Sequence, residues 1–327
     1  MRAAVLHTPG RPPRYGEHPD PAPTGGGSLV RVTAAPVVPL DLLCASGRSY
    51  FGSPATPYVP GVQGVGRVER SETLPGGSRV WFSTSAGMAP GDGGLAELCL
   101  VGDEDLVPIE DDVDDAAVAA LGTSAIAAWQ ALSARGALAA GENVLVLGGG
   151  GAVGQAGIGV ARALGASRVV AVARSEGARQ RAQDAGADEV VGWGEHETQN
   201  VDALAGRLAA ATESGFDVVL DPVFGTVASA ASRVLAEGGR LVNLGGASGD
   251  EAVFSSATLR SRSASVLGYT NNSLTTGQRH DALTAVLRLA AEGRIAVAHE
   301  TLALAEVEEA WRRQERGDAS VRLVLLP

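Results

Sequence analysis

From Met1 to about Val101 the apolar positions fall in short runs, RAAVLH, SLVRVTAAPVV, GVGRVER, SRVWFS and AELCLV, broken by Gly and Pro. Short strands punctuated in this way predict a compact, mostly β domain. An acidic stretch, GDEDLVPIEDDVDD, then leads into AAVAALGTSAIAAWQALSARGA, whose alanine-rich composition predicts a helix and places a boundary near residue 121. After Gly141 the pattern changes. VLVLG, RVVAVAR, EVVGW, DVVLD and RLVNLG alternate with segments of helical composition such as AGIGVARALGA and VASAASRVLAEGG. Strand alternating with helix predicts a doubly wound parallel sheet, and near-continuous Val and Leu runs suit strands buried on both faces. SASVLGYT adds an edge strand, and the tail adds a helix around DALTAVLRLAAEG and a last strand, VRLVLLP.

Composition narrows the classes of function. A chain of 327 residues, 45% hydrophobic and 19% charged, fits two globular domains and argues against disorder. No unbroken run of about 18 apolar residues signals a membrane span, and the opening MRAAVLHTPGRPPRYG lacks the order of a secretory signal, so a cytoplasmic protein is expected. The net charge of -11 disfavours nucleic acid and anionic membranes as partners. All 26 basic residues are arginine, so neither Schiff-base chemistry nor a lysine proton donor is available. The 2 cysteines, Cys44 and Cys99, are read as free thiols.

The densest motif lies at residues 144–157, VLVLGGGGAVGQAG. Gly149, Gly151 and Gly154 satisfy G-x-G-x-x-G, with Val153 inside the motif. The match gains weight because an apolar strand precedes it, a helix follows and a further strand, SRVVAVAR, starts soon after. The motif thus predicts a dinucleotide pyrophosphate held at a helix N-terminus. The end of that further strand decides which dinucleotide. An NAD site places Asp or Glu there, whereas this chain has Ala173, then Arg174 and Ser175, with Arg179 and Arg181 close behind. Guanidinium and hydroxyl groups bind a 2′-phosphate that a carboxylate would repel, which points to NADPH. Arg179 and Arg181 fit either that role or a solvated helix face.

The opening MRAAVL, PYVPGVQGVGRV, GSRVWF, ALGTSAIAAWQAL, ENVLVLGGGGAVG, DVVLDPVFG and GGRLVNLGGASG together resemble the medium-chain dehydrogenase/reductase superfamily, in its zeta-crystallin-like quinone oxidoreductase branch. The resemblance spans nearly the whole chain. It implies an α/β protein with a GroES-like β-rich substrate domain over residues 1–121 and 273–327 and a Rossmann NADPH-binding domain over 122–272. It also implies a homodimer formed through the edge strand SASVLGYT.

Zinc-dependent members of that superfamily hold a catalytic metal through Cys and His side chains. The matching positions here are Val38, Val62 and Thr123, so no metal site is expected. The five histidines, His7, His18, His196, His280 and His299, are scattered. Without a Lewis acid, the chemistry left is hydride delivery to a conjugated acceptor, a quinone or α,β-unsaturated carbonyl. The resemblance offers Tyr50 as proton donor or ring-stacking group, with packing or a water donor as alternatives. Asp41 is either catalytic or bonded to the local backbone. Tyr269 and Asn271 are expected near the nicotinamide, as are Gly245 and Gly246. Trp193 either stacks on adenine or is buried against the sheet, and Arg322 replaces a lysine common near the C-terminus of these enzymes. The expected function is a zinc-independent NADPH-dependent reductase of small quinones or enones. The alternatives are an enoyl or tailoring reductase of polyketide-like secondary metabolism, and a non-catalytic NADPH-binding protein, which the loss of a polar side chain at Val38 would favour.

Overall fold

The computed structural model describes residues 1–22, 26–194 and 200–327, and the chain divides into two compact units, 1–122 with 297–327, and 123–296.

The first unit opens with β1 (Arg2–Val5), β2 (Arg14–Glu17) and β3 (Ser28–Pro36), followed by a short helix α1 (Pro39–Ala45). β4 (Gln63–Arg70), β5 (Arg79–Ser83), β6 (Leu98–Val101) and β7 (Leu106–Pro108) continue it. Helix α2 (Asp115–Gln130) carries the chain across the boundary, with a break at Gly122, whose φ of 24° and ψ of -126° are not helical. Glycine is required there, because a Cβ would run into the Gln63 side-chain oxygen. By length and hydropathy Asp115–Arg135 would suffice for a membrane span, which the sequence reading had not singled out; 72% of its apolar window is buried, as in a core helix.

The second unit contains β8 (Asn143–Leu147), α3 (Ala152–Ala163), β9 (Arg168–Ala173), α4 (Glu176–Asp184), β10 (Glu189–Gly192) and α5 (Val201–Ala210). It continues with β11 (Phe216–Asp221), α6 (Gly225–Ser232), β12 (Leu235–Asn243), α7 (Ser256–Ser261), β13 (Ser265–Gly268) and α8 (Thr276–Ala291). Its six strands are all parallel, in the order β10-β9-β8-β11-β12-β13. Nearly every residue of β8, β9 and β11 is buried, as helices on both faces of a sheet require. Helix α3 approaches this sheet closely through its glycines: a Cβ on Gly157 would collide with Leu220.

The chain then returns to the first unit as β14 (His299–Ala303), α9 (Val307–Arg316) and β15 (Arg322–Leu326). These strands join a seven-stranded sheet ordered β14-β15-β3-β4-β5-β7, with β6 also on β3, beside a separate β1-β2 pair. The second boundary therefore falls at residue 297, not 273 as the sequence suggested. Helix α8 belongs to the parallel-sheet unit because Gln130 donates to the Gln278 carbonyl at 3.1 Å and Ile295 packs directly on Gly159. The architecture is the expected α/β one, a β-rich unit and a doubly wound parallel-sheet unit, with SASVLGYT at the sheet edge.

Candidate functional site

In a parallel sheet all strands end along one side, and the strand order reverses between β8 and β11, where ligands of such folds bind. The glycine block stands at that point, between β8 and α3. Each glycine there meets a different constraint. A Cβ on Gly149 would lie 2.7 Å from Ala171 Cβ, and one on Gly154 would collide with the Gly148 carbonyl and lie 2.7 Å from Gly149 Cα. Those two glycines close the turn and seat the helix on the strand. Gly151 differs. It is exposed, with φ -81°, and a Cβ there would have only the Gly148 oxygen near it, at 3.4 Å. Nothing in the protein itself explains glycine at 151, whereas the close approach of a pyrophosphate does. Gly151 is also the N-cap of α3 and supplies no side-chain cap to the first turn, and Val153 lies half-buried in that turn. The N-H groups and dipole of the helix thus face outward at a spot suited to an anion.

Two residues outside the motif hold the loop in this shape. Gln155 Nε2 and Arg181 Nε both donate to the Gly150 carbonyl at 3.0 Å. Arg181, read from sequence as a phosphate ligand or a solvated side chain, is therefore a loop support. The burial that comes with this role lowers its pKa.

At the end of β9, Ala173 presents no carboxylate and is 3% exposed. Arg174 is exposed, and its guanidinium has no partner among the described residues. Ser175 caps α4 by accepting from Ala178 N-H at 3.2 Å. Arg179 pairs with Glu176 and donates to the Arg174 carbonyl at 3.1 Å. Trp193 does not offer a stacking face. It is 3% exposed in the sheet core, with the Arg207 guanidinium 5.9 Å from its ring centre. The reason is its position just past β10, where its N-H bonds the Ala173 carbonyl and turns the ring inward.

Farther along the same side, Tyr269 and Asn271 come together. Tyr269 Oη donates to Asn271 Oδ1 at 2.7 Å, and Asn271 Nδ2 donates to the Thr123 carbonyl at 3.0 Å. Partial burial pushes the Tyr269 phenol well up. Gly245 is needed for a neighbouring backbone: a Cβ would come within 2.7 Å of the Pro222 carbonyl, while Gly246 is exposed. Asp221, which the sequence reading missed, organises this end. Fully buried, it accepts from the N-H groups of Val223 and Phe224 at 3.1 and 2.7 Å, and Asn243 Nδ2 reaches its Oδ2 at 3.3 Å. The signal for it was the DVVLDP sequence, an acidic residue at a strand end followed by a turn.

The first unit holds the other candidates, and its two expected catalytic side chains differ in burial. Asp41 is 2% exposed; its Oδ2 accepts from Val38 N-H at 2.8 Å and its Oδ1 from Val62 N-H at 2.9 Å. Burial raises its pKa to about 6 against those bonds and the nearby Arg322 charge. Of its two sequence readings, backbone bonding is the one observed. Arg322, which the resemblance placed at the cofactor, is engaged within the first unit: it is 9% exposed, donates to the Val37 carbonyl at 3.1 Å and is brought to about 10 by burial, the Asp41 charge opposing. The cause is its place at the start of β15, beside β3. Tyr50, by contrast, is 77% exposed, with its ring 4.2 Å from Phe51. Tyr58, a second residue missed from sequence, is 5% exposed, and its hydroxyl has no hydrogen-bond partner among the described residues. Burial raises the thiol of Cys44 to about 11, with the Asp41 charge adding to the effect.

His18 lies 2.9 Å from Asp92, His299 bonds the Val297 carbonyl and His280 sits by Asp281, so these histidines are dispersed; His196 lies outside the described residues.

Residues 152–292 match the family model described as zinc-binding dehydrogenase. The chain is 33% identical over 230 residues to the quinone oxidoreductase of Rattus norvegicus, covering 69% of this chain and 66% of the relative. It is 30% identical over 311 residues to a phenolphthiocerol/phthiocerol polyketide synthase component of Mycobacterium tuberculosis, covering 93% of this chain and 14% of that protein. A mycobacterial structure solved in complex with NADPH superposes with TM-score 0.86 at 25% identity, covering 100% of both chains. Val38 and Val62 are buried and carry no ligating atom, and the described residues contain no group of three or more His, Cys, Asp or Glu able to hold a metal. The glycine turn fits a dinucleotide, and with the fold and the sequence matches it leads to one assignment: the chain belongs to the medium-chain dehydrogenase/reductase superfamily, in its quinone oxidoreductase branch.

Proposed function

We propose that the protein is a zinc-independent, NADPH-dependent reductase of quinones or α,β-unsaturated carbonyls. The observation that carries the reading is the end of β9, where Ala173 replaces the ribose-binding carboxylate and the Arg174 guanidinium stands exposed without a partner among the described residues. Gly151 and the first turn of α3 would take the pyrophosphate, Arg174 the 2′-phosphate, and the segment from Gly245 with the Tyr269-Asn271 pair the nicotinamide end. NADPH, when bound, supplies a hydride. The chain supplies position, which is most of what hydride transfer to a conjugated acceptor requires. Valine at 38 and 62 offers no Lewis acid for an isolated ketone, so the acceptor must spread its own charge. Asp41 holds the backbone at both valines, and the exposed Tyr50 hydroxyl, or water, returns the proton to the reduced oxygen. We assign dimer formation to the edge strand β13, where Val266 is 37% exposed.

A second reading, an enoyl or tailoring reductase, draws support from the polyketide synthase match, which runs through 93% of this chain. The test follows loss of NADPH absorbance with a panel of quinones, enones and enoyl thioesters, with and without a chelator. Chelator-resistant oxidation by quinones or enones supports the proposal. Turnover confined to enoyl thioesters transfers it to the second reading, and tight NADPH binding without oxidation of any acceptor overturns both in favour of a non-catalytic protein.

A further inference from the structure

The side of the parallel-sheet unit around the end of β9 carries two arginines, and they are in different states. Arg174 is exposed and without a partner among the described residues, whereas Arg179 is held in three ways. Its guanidinium pairs with Glu176 one helical turn earlier, with Nε 3.2 Å from Oε2. Its Nη1 donates to the Arg174 carbonyl at 3.1 Å. The same nitrogen lies over Gly192 at the end of β10, where a Cβ would come within 3.1 Å of it. Arg179 is thereby drawn off α4 across the ends of β9 and β10, directly beside the turn that carries Arg174 and Ser175. A glycine at 192 leaves the room for it.

Glu176 is the only acidic residue in the first turn of α4, and its side chain is 84% exposed. Its carboxylate therefore sits next to both arginines' positions in the chain. There it neutralises one of the two cations that a phosphate at this turn would meet.

We infer that Glu176 is a built-in counter-ion that a 2′-phosphate must displace from Arg179, so that this residue sets how strongly the protein prefers the 2′-phosphorylated nucleotide. The inference rests on the assignment of the 2′-phosphate to the Arg174 turn. The displacement is physically easy. An exposed carboxylate-guanidinium pair contributes little and is screened by salt. A phosphate accepting from two guanidinium groups forms shorter, stronger charge-assisted bonds. Glu176, once displaced, returns to water at its exposed position, where solvent and salt screen its charge, so its effect on the phosphate runs through Arg179. The chain thus carries a tempered site, one full guanidinium and one half-neutralised.

Calorimetric titration of the full chain with 2′,5′-ADP and with 5′-AMP tests this without any turnover. The unmodified protein is expected to prefer 2′,5′-ADP. Glu176→Gln, which keeps the shape and removes the charge, should tighten 2′,5′-ADP by about threefold to fivefold and leave 5′-AMP unchanged within about twofold, the size expected for one exposed ion pair. The gain should disappear when Arg179→Ala is combined with it, and should shrink at high salt. If the preference for 2′,5′-ADP is present but Glu176→Gln leaves it the same or weaker, the counter-ion role is overturned while the 2′-phosphate assignment stands. If the gain persists without Arg179, the counter-ion role is likewise overturned. Equal binding of the two nucleotides by the unmodified protein overturns the assignment and the inference together.

Discussion

The Asp41 carboxylate and the Arg322 guanidinium lie as opposite charges in the interior of the first unit, 2% and 9% exposed, and between them they fasten three segments. Asp41 holds the N-H groups of Val38 and Val62, and Arg322 holds the Val37 carbonyl from the last strand. An amide at 41 can accept from only one of those two buried N-H groups, which leaves the other unbonded at a cost of about 1–3 kcal/mol. Asp41→Asn is therefore expected to be destabilising in urea unfolding, and the double change Asp41→Asn with Arg322→Met less so than the sum of the single changes.

The same pair has a pH signature. Burial raises the folded-state pKa of Asp41 from 3.8 to about 6, so between those values the folded protein holds a proton that the unfolded chain has released. The contribution of Asp41 to stability is thus greatest below about pH 4 and falls as pH rises through about 6. Across pH 4–7 the unfolding free energy of the unmodified protein should fall relative to that of Asp41→Asn as pH rises. A rise relative to Asp41→Asn would contradict the assignment of burial as the dominant cause.

Gly151 and Gly154 separate folding from binding. Gly154→Ala forces a Cβ onto the Gly148 carbonyl and should lower the thermal midpoint as well as nucleotide affinity. Gly151→Ala meets only one atom, at 3.4 Å, and has an ordinary φ, so the midpoint should hold while nucleotide affinity falls by about tenfold or more. Thermal scans with and without NADPH read both effects.

Tyr50 and Tyr58 should respond oppositely to loss of their hydroxyls. Tyr58→Phe removes a buried, unpartnered hydroxyl and should be neutral or stabilising, by up to about 1 kcal/mol. Tyr50→Phe, at a 77% exposed position, should leave stability within about 0.5 kcal/mol and lower kcat. An unchanged kcat assigns the proton to water.

Much of this was legible in the chain, for physical reasons. The parallel sheet could be read because strands buried on both faces must be nearly all apolar, and β8, β9 and β11 are. The glycine turn could be read because close backbone approach admits only glycine. The second boundary was missed because α8 has the same amphipathic composition whichever unit it packs on, and only the Gln130-Gln278 bond and the Ile295-Gly159 contact reveal its side. Arg322 and Trp193 were placed by position in the chain, yet side-chain direction decides their roles, and both turn inward. Gln155, Asp221 and Tyr58 act through contacts with backbone or core that no linear spacing announces.

Arg174→Ala removes the exposed guanidinium at the 2′-phosphate position and should weaken NADPH by about tenfold or more while changing NADH little, since a charge-assisted bond contributes about 1.5–3 kcal/mol. Fluorescence titration of both nucleotides checks it.

The ratio of dissociation constants for NADPH and NADH in the unmodified protein tests the central reading most directly. The end of β9, with Ala173 in place of a carboxylate and Arg174 exposed, predicts NADPH tighter by at least about tenfold at low salt. Equal constants, or tighter NADH, would contradict it.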